Sequence, residues 1–175
     1  LVEFIRGNEI VGLRPRTRKL GDIVHSAPYL KGPAVYSGAN DGMLHAFDKS
    51  TGRELFAYIP NLVFDHLKNL GDLTYTHKYF VDNTPTSNLR GKISTDVSDI
   101  LVCGLGKGGK GYFALDITHV QDFTSSTTET AIANDIGLWE FPGPQTTTAD
   151  INDMGYSFSS AHVVKSYLEV DGQKR

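Results

Sequence analysis

Residues 35–48 and 101–116 follow one pattern, and this internal duplication constrains the fold more than any single motif does. The first copy runs Val35-Tyr36-Ser37-Gly38, turns through Asn40-Asp41-Gly42, continues as Leu44-His45-Ala46-Phe47-Asp48, turns again at Thr51-Gly52 and closes on Leu55-Phe56. The second runs Leu101-Val102-Cys103-Gly104, a glycine-rich turn, then Tyr112-Phe113-Ala114-Leu115-Asp116, with Leu138-Trp139-Glu140-Phe141 in the place of Leu55-Phe56. Short β-rich runs that return in order between tight turns mark an all-β repeat architecture.

A further segment precedes each copy. Residues 23–30, 79–86 and 156–163 are short, polar and small, and each closes on a Pro or a His: Pro28, Pro85 and His162. They are expected to be the innermost strands of three successive blades, which makes the unit a four-stranded blade and the fold a β-propeller. Pro28 to Pro85 is 57 residues and Pro85 to His162 is 77, longer than the ~40–50 of compact propeller repeats, so the excess belongs to loops.

The expected organisation is a single propeller domain over residues 1–175. It comprises a lead-in at 1–21, a first blade at 22–60, a short inserted helix at 61–71, and a second blade with a long loop at 79–142. A loop at 143–155 and the first strand of a third blade at 156–168 complete it. The inserted helix follows from apolar residues at 63, 67 and 70, a capping Asn61 after Pro60, and a terminal Gly71. Residues 123–130 and 143–149 are Thr/Ser- and Pro/Gly-rich and are expected to be surface loops. A start at Leu1 with neither Met nor signal peptide, and an arc of two blades and one strand, suggest a piece of something longer. The remaining blades would then come from the same chain or from another.

At 39% apolar and 21% charged residues the chain can bury a core, and 18 glycines in 175 residues supply its tight turns. A net charge of −3 gives no electrostatic case for nucleic acid. No apolar run is long enough to span a bilayer as a helix.

The chemical motifs fail on context. Gly104 to Gly109 satisfies G-x-G-x-x-G, but neither that motif nor a phosphate-binding loop works unless it opens a helix, and the strand-like residues 112–116 follow. Residues 150–155 resemble the start of a calcium loop; Met154 cannot coordinate, and Ala161 stands where a bidentate Glu is required. The segment is therefore expected to be a solvated acidic turn, binding calcium no tighter than ~millimolar. The histidines at 25, 45, 66, 77, 119 and 162 have no zinc spacing, with His25 and His162 expected at equivalent inner positions. Ser26 and Ser159 lie outside any nucleophile motif, Asp48 and Asp116 are paired turn formers, and Cys103 is a buried small hydrophobe. No catalytic, cofactor-binding or metal site is expected in this segment.

Arg14-Pro15-Arg16, residues 20–28, residues 38–48 and Ala57-Tyr58-Ile59-Pro60 resemble, in order, the C-terminal propeller of the PilY family of type IV pilus assembly and tip proteins. Residues 75–82, 104–116 and 155–158 continue the match, which covers roughly 4–164. The resemblance implies a quinoprotein-like propeller in a secreted, non-enzymatic protein of the outer membrane and pilus tip. Such a protein serves pilus biogenesis, twitching motility and adhesion to host or abiotic surfaces, with minor pilins as partners. It also implies a calcium site in a later blade that has no counterpart here, and Arg6-Gly7-Asn8 is not the adhesion triplet some members carry. Two alternatives stand beside it: a propeller scaffold of outer-membrane protein assembly, and a quinoprotein-like dehydrogenase fragment suggested by residues 48–56.

Overall fold

The computed structural model describes residues 1–87, 97–123, 129–144, 146–164, 169–170 and 173–174. Two antiparallel sheets dominate it. The first has four strands in sequence order: β1 (Tyr29–Lys31), β2 (Ala34–Gly38), β3 (Leu44–Asp48) and β4 (Glu54–Tyr58). The second has β5 (Ile100–Gly104), β6 (Tyr112–Asp116) and β7 (Gly137–Phe141). Thr86 exchanges backbone bonds of 2.9 and 2.8 Å with Val102 and so stands where β1 stands in the first sheet. The two sheets are the expected blades.

The duplication extends to register. Gly38 faces Leu44 across the first hairpin and Gly104 faces Tyr112 across the second; Ala46 faces Phe56 and Ala114 faces Trp139. Both glycines also lie under a carbonyl of the following inner segment, Val81 for Gly38 and Ser157 for Gly104, where any Cβ would collide. Strand alternation then fixes what each face carries. Tyr36, Leu44, Ala46, Phe56 and Tyr58 share one face of the first blade; Leu101, Cys103, Phe113 and Leu115 share the facing side of the second. Tyr58 stacks on Phe113 at 5.5 Å and Phe56 meets Phe123 edge-on at 6.1 Å. Burying an aromatic of this size contributes about 1.5–3 kcal/mol, so this seam, which includes the fully buried Tyr36 and Phe113, stabilises the packing of one blade on the other.

The inner segments differ from expectation. Only Tyr29–Lys31 and the Thr86 bridge pair as strand, and residues 156–163 form none. Pro28 and Pro85 have no N–H to give a ladder, and side-chain oxygens replace it. Ser26 Oγ accepts from Gly38 N at 2.8 Å, and Thr84 Oγ1 accepts from Ala27 N at 2.9 Å. The packing of Gly38 and Gly104 makes Val81 and Ser157 equivalent, so the counterparts of His25 are Asp82 and Phe158 rather than His162.

The 61–71 insertion is helical in three short pieces, with α2 (Phe64–Leu67) between two 3-10 turns. Asn61 does not cap it; Pro60 holds the cap position without a side-chain bond. Helices also occur where loops were expected. α3 (Glu129–Ile136) leads into β7, and α4 (Thr148–Asp153) starts on a capping box in which Thr147 and Asp150 bond each other's amides. A first-turn helix α1 (Val2–Ile5) opens the chain, and β8 (Glu169–Val170) pairs with β9 (Gln173–Lys174) near its end. None of the helices among the described residues is long and apolar enough to cross a membrane.

Candidate functional site

Polar side chains gather along the inner segments and the turns that meet them. His25 Nδ1 is 2.5 Å from Asp82 Oδ2, and the His25 amide reaches Asp82 Oδ1 at 3.3 Å. The imidazole is half exposed, whereas the carboxylate is 1% exposed. A buried carboxylate needs partners of this kind, because its desolvation is otherwise uncompensated. Beside the pair, Tyr79 lies 5.7 Å from the His25 ring and 4.8 Å, edge-on, from His77, with the Lys107 ammonium 4.3 Å from its centroid. His77 Nε2 meets Asp22 Oδ2 at 2.8 Å, and Asn40 Nδ2 donates to the same oxygen at 3.2 Å. Burial pushes the Asp22 carboxyl up, but these bonds outweigh it and hold it below the usual range.

His45 forms a second cluster. It is buried, with Nδ1 2.6 Å from Glu54 Oε1 and Nε2 3.2 and 3.1 Å from the two Asp41 oxygens. Burial disfavours the imidazolium, yet the bonds to Asp41 and Glu54 win and raise its pKa to about 9. Asp41 also accepts from the amides of Gly21 at 2.6 Å and Met43 at 3.2 Å. In the second blade Phe113 occupies the His45 position, so the first blade carries an ionic group where its neighbour carries core.

The glycine-rich loop has little left for a phosphate. Leu105 N donates to Ser157 Oγ and Gly111 O, Gly106 N to Ser157 O, Gly108 N to Leu105 O, and Gly111 N to Ser157 Oγ. Gly106–Gly108 is a single 3-10 turn and strand β6 follows it, so no helix dipole points at the loop. Cys103 is buried, and burial pushes its thiol pKa up. Asp150 is engaged in its capping box. Asp48 accepts from Ser50 N and Thr51 N, and Asp116 from Thr118 N, each closing a turn. Ser26 is a backbone acceptor, and Ser157, not singled out from sequence, fills the corresponding structural need in the second blade. Among the described residues no three His, Cys, Asp or Glu side chains converge as a metal site would require.

Sequence reading also passed over Asp82 and Glu140. Glu140 on β7 accepts from Tyr58 OH at 2.8 Å and from the amides of Asn61 and Leu62 at 2.9 and 3.2 Å, tying the second blade to the insertion after the first. Burial, then Glu140, pushes the Tyr58 hydroxyl pKa up. A lone acid in the apolar run 138–141 was the available signal.

Comparison with known proteins adds a separate line of evidence. The family model described as the PilY1 beta-propeller domain matches residues 20–168. The type IV pilus biogenesis factor PilY1 of Pseudomonas aeruginosa strain UCBPP-PA14 is 36% identical over 202 aligned positions, covering 94% of this chain and 16% of that protein. A PilY1 homolog of Xylella fastidiosa strain Temecula1 is 32% identical, covering 91% of this chain and 14% of its own length. The crystal structure of the Pseudomonas aeruginosa PilY1 C-terminal domain is 33% identical, with a TM-score of 0.45, and covers 76% of this chain and 22% of that one. The chain thus spans about one sixth of the length of these curated relatives.

Proposed function

The chain belongs to the PilY1 β-propeller family, and from that membership we propose that it serves type IV pilus biogenesis as a structural, non-catalytic segment of a propeller. The observation that carries this reading is identity of 36% along 94% of the chain with a named pilus biogenesis factor. The geometry is compatible with it. The polar side chains of the inner segments and of β7 hold the blades in place: Ser26 and Ser157 bind backbone amides, and Asp82 and Glu140 tie the second blade to the first.

In this reading the protein works at the bacterial surface, at the pilus tip or the outer membrane, and supports assembly, twitching motility and adhesion. Minor pilins and the host or abiotic surface are its partners. The segment contributes packing and contact surface, and any calcium the protein uses is bound in a later blade.

The test is removal of the encoding gene, with sheared surface pilin and twitching zones as readouts. Loss of both, restored by the intact gene but not by a copy lacking residues 20–168, is expected. Wild-type piliation in the deletion strain overturns the proposal.

A further inference from the structure

Although the chain's net charge is −3, residues 14–19 hold Arg14, Arg16, Arg18 and Lys19 and no acid. They form one wall of a cleft of about 310 Å³, closed by Asp22, Asn40, Asp41, Tyr75 and His77. Two of its cations are anchored. Arg14 Nε donates to Leu70 O at 3.0 Å with its guanidinium 4.0 Å over the Tyr75 ring, and Arg16 donates to the Phe4 carbonyl with its guanidinium 4.2 Å over the Phe4 ring. Each of these bonds uses one of the five donors a guanidinium carries, so the rest of each fork remains available.

The cleft's own acids make no ion pair with these groups, although the charge of Asp41 acts on the Arg16 guanidinium from a distance. Asp41 serves His45 and two amides, and Asp22 serves His77 and Asn40. Among the described residues no carboxylate lies within ion-pair distance of Arg14, Arg16, Arg18 or Lys19. The main-chain amides of residues 16–20 likewise donate no hydrogen bond to described residues. This wall is therefore an unpaired length of backbone carrying four cations, two of them, Arg14 and Arg16, held in place beforehand, which reduces the ordering cost of binding.

We propose that this cleft is a docking site for an acidic peptide segment, whose carboxylates engage the arginine forks and whose carbonyls meet the amides of residues 16–20. Guanidinium groups match carboxylates in bidentate geometry. The concave shape and the unpaired amides favour an extended peptide over a flat anionic membrane. The inference concerns binding alone and holds whether or not the pilus role does.

The experiment is fluorescence anisotropy of labelled hexaglutamate titrated with the intact protein that carries this chain, beside hexaglutamine. Inorganic phosphate serves as competitor, and phosphatidylglycerol vesicles are tested by co-sedimentation. Hexaglutamate is expected to bind, to weaken with added salt, and to outbind hexaglutamine. The double variant Arg18→Gln/Lys19→Gln changes two exposed cations outside the aromatic anchors and should weaken binding about tenfold. Arg14→Lys, which keeps the charge and removes the fork, should weaken it as well, with circular dichroism verifying that both variants fold. Equal binding of hexaglutamine, indifference to the Arg18/Lys19 variant, displacement by phosphate at the peptide's own concentration, or capture by vesicles without peptide binding would each overturn it.

Discussion

The His25 ring and the Asp82 carboxylate stand 57 positions apart in the chain and 2.5 Å apart in space, one on the inner segment of each blade. The imidazole is half exposed and the carboxylate buried, so the two partners are not equivalent. Removing the imidazole leaves a buried charge whose one remaining partner among the described residues is the amide of residue 25, whereas neutralising the carboxylate leaves an imidazole that water can serve. His25→Ala is therefore expected to cost about 3 kcal/mol and Asp82→Asn about 1–2 kcal/mol. Denaturant midpoints of the two variants check the ordering, and the reverse order would show that the pair does not act as an interblade tie.

His45 makes a pH prediction whose sign follows from its raised pKa. In the unfolded chain it titrates near 6.5 and in the fold near 9, so the fold binds the proton more tightly. The stabilisation is complete below about pH 6.5 and disappears as pH rises through about 9. Its size is about 3 kcal/mol, as an order of magnitude. Thermal midpoints from pH 6 to 10 should fall across that window, and His45→Phe, which installs the residue found at the matching position of the second blade, should flatten the fall. A slope unchanged in the variant would assign it to other groups.

The blade hairpins were legible in the sequence because their signal is local. Alternating apolar residues, tight turns and a second copy in the same order specify β2, β3, β5 and β6 without reference to anything distant. The inner segments were not legible as they are, since Thr84 and Asp82 satisfy backbone groups 57 residues away and Ser26 one 12 residues away, and prolines at 28 and 85 look alike in a strand or beside one. Helix α4 was hidden in a Thr/Pro-rich stretch although Thr147 and Asp150 stand at capping-box spacing. The Arg14 and Arg16 anchors depend on Tyr75 and Phe4 and leave no trace in local pattern.

Glu140 offers a test of the link between β7 and the insertion. Its carboxylate accepts from Tyr58 OH and the Asn61 and Leu62 amides, which satisfies donors that an uncapped helical turn leaves open. Glu140→Ala should cost about 1–3 kcal/mol, and Glu140→Gln less, since the amide oxygen still accepts. Amide exchange at Asn61 and Leu62 should accelerate in the alanine variant. Unchanged protection there would mean that the turn is held by the packing of Val63 and Leu67 alone.

Phe56 and Trp139 occupy the same position of their blades, opposite Ala46 and Ala114, but Phe56 is 6% exposed and Trp139 48%. Phe56 is covered because the second blade packs on its face; Trp139, with Phe141 at 44%, presents the corresponding face with no comparable cover among the described residues. Truncation at the two sites should therefore differ in kind. Phe56→Ala creates a cavity in the seam and should cost about 3–5 kcal/mol. Trp139→Ala should change the stability of the 175-residue chain by less than about 1 kcal/mol. An uncovered aromatic face of this sort also drives association, so light scattering should find the isolated chain self-associating, and Trp139→Lys with Phe141→Lys should return it towards a monomer. A monodisperse wild-type monomer, or a Trp139→Ala cost equal to that of Phe56→Ala, would show that this face is already closed and that it does not stand ready for a further blade.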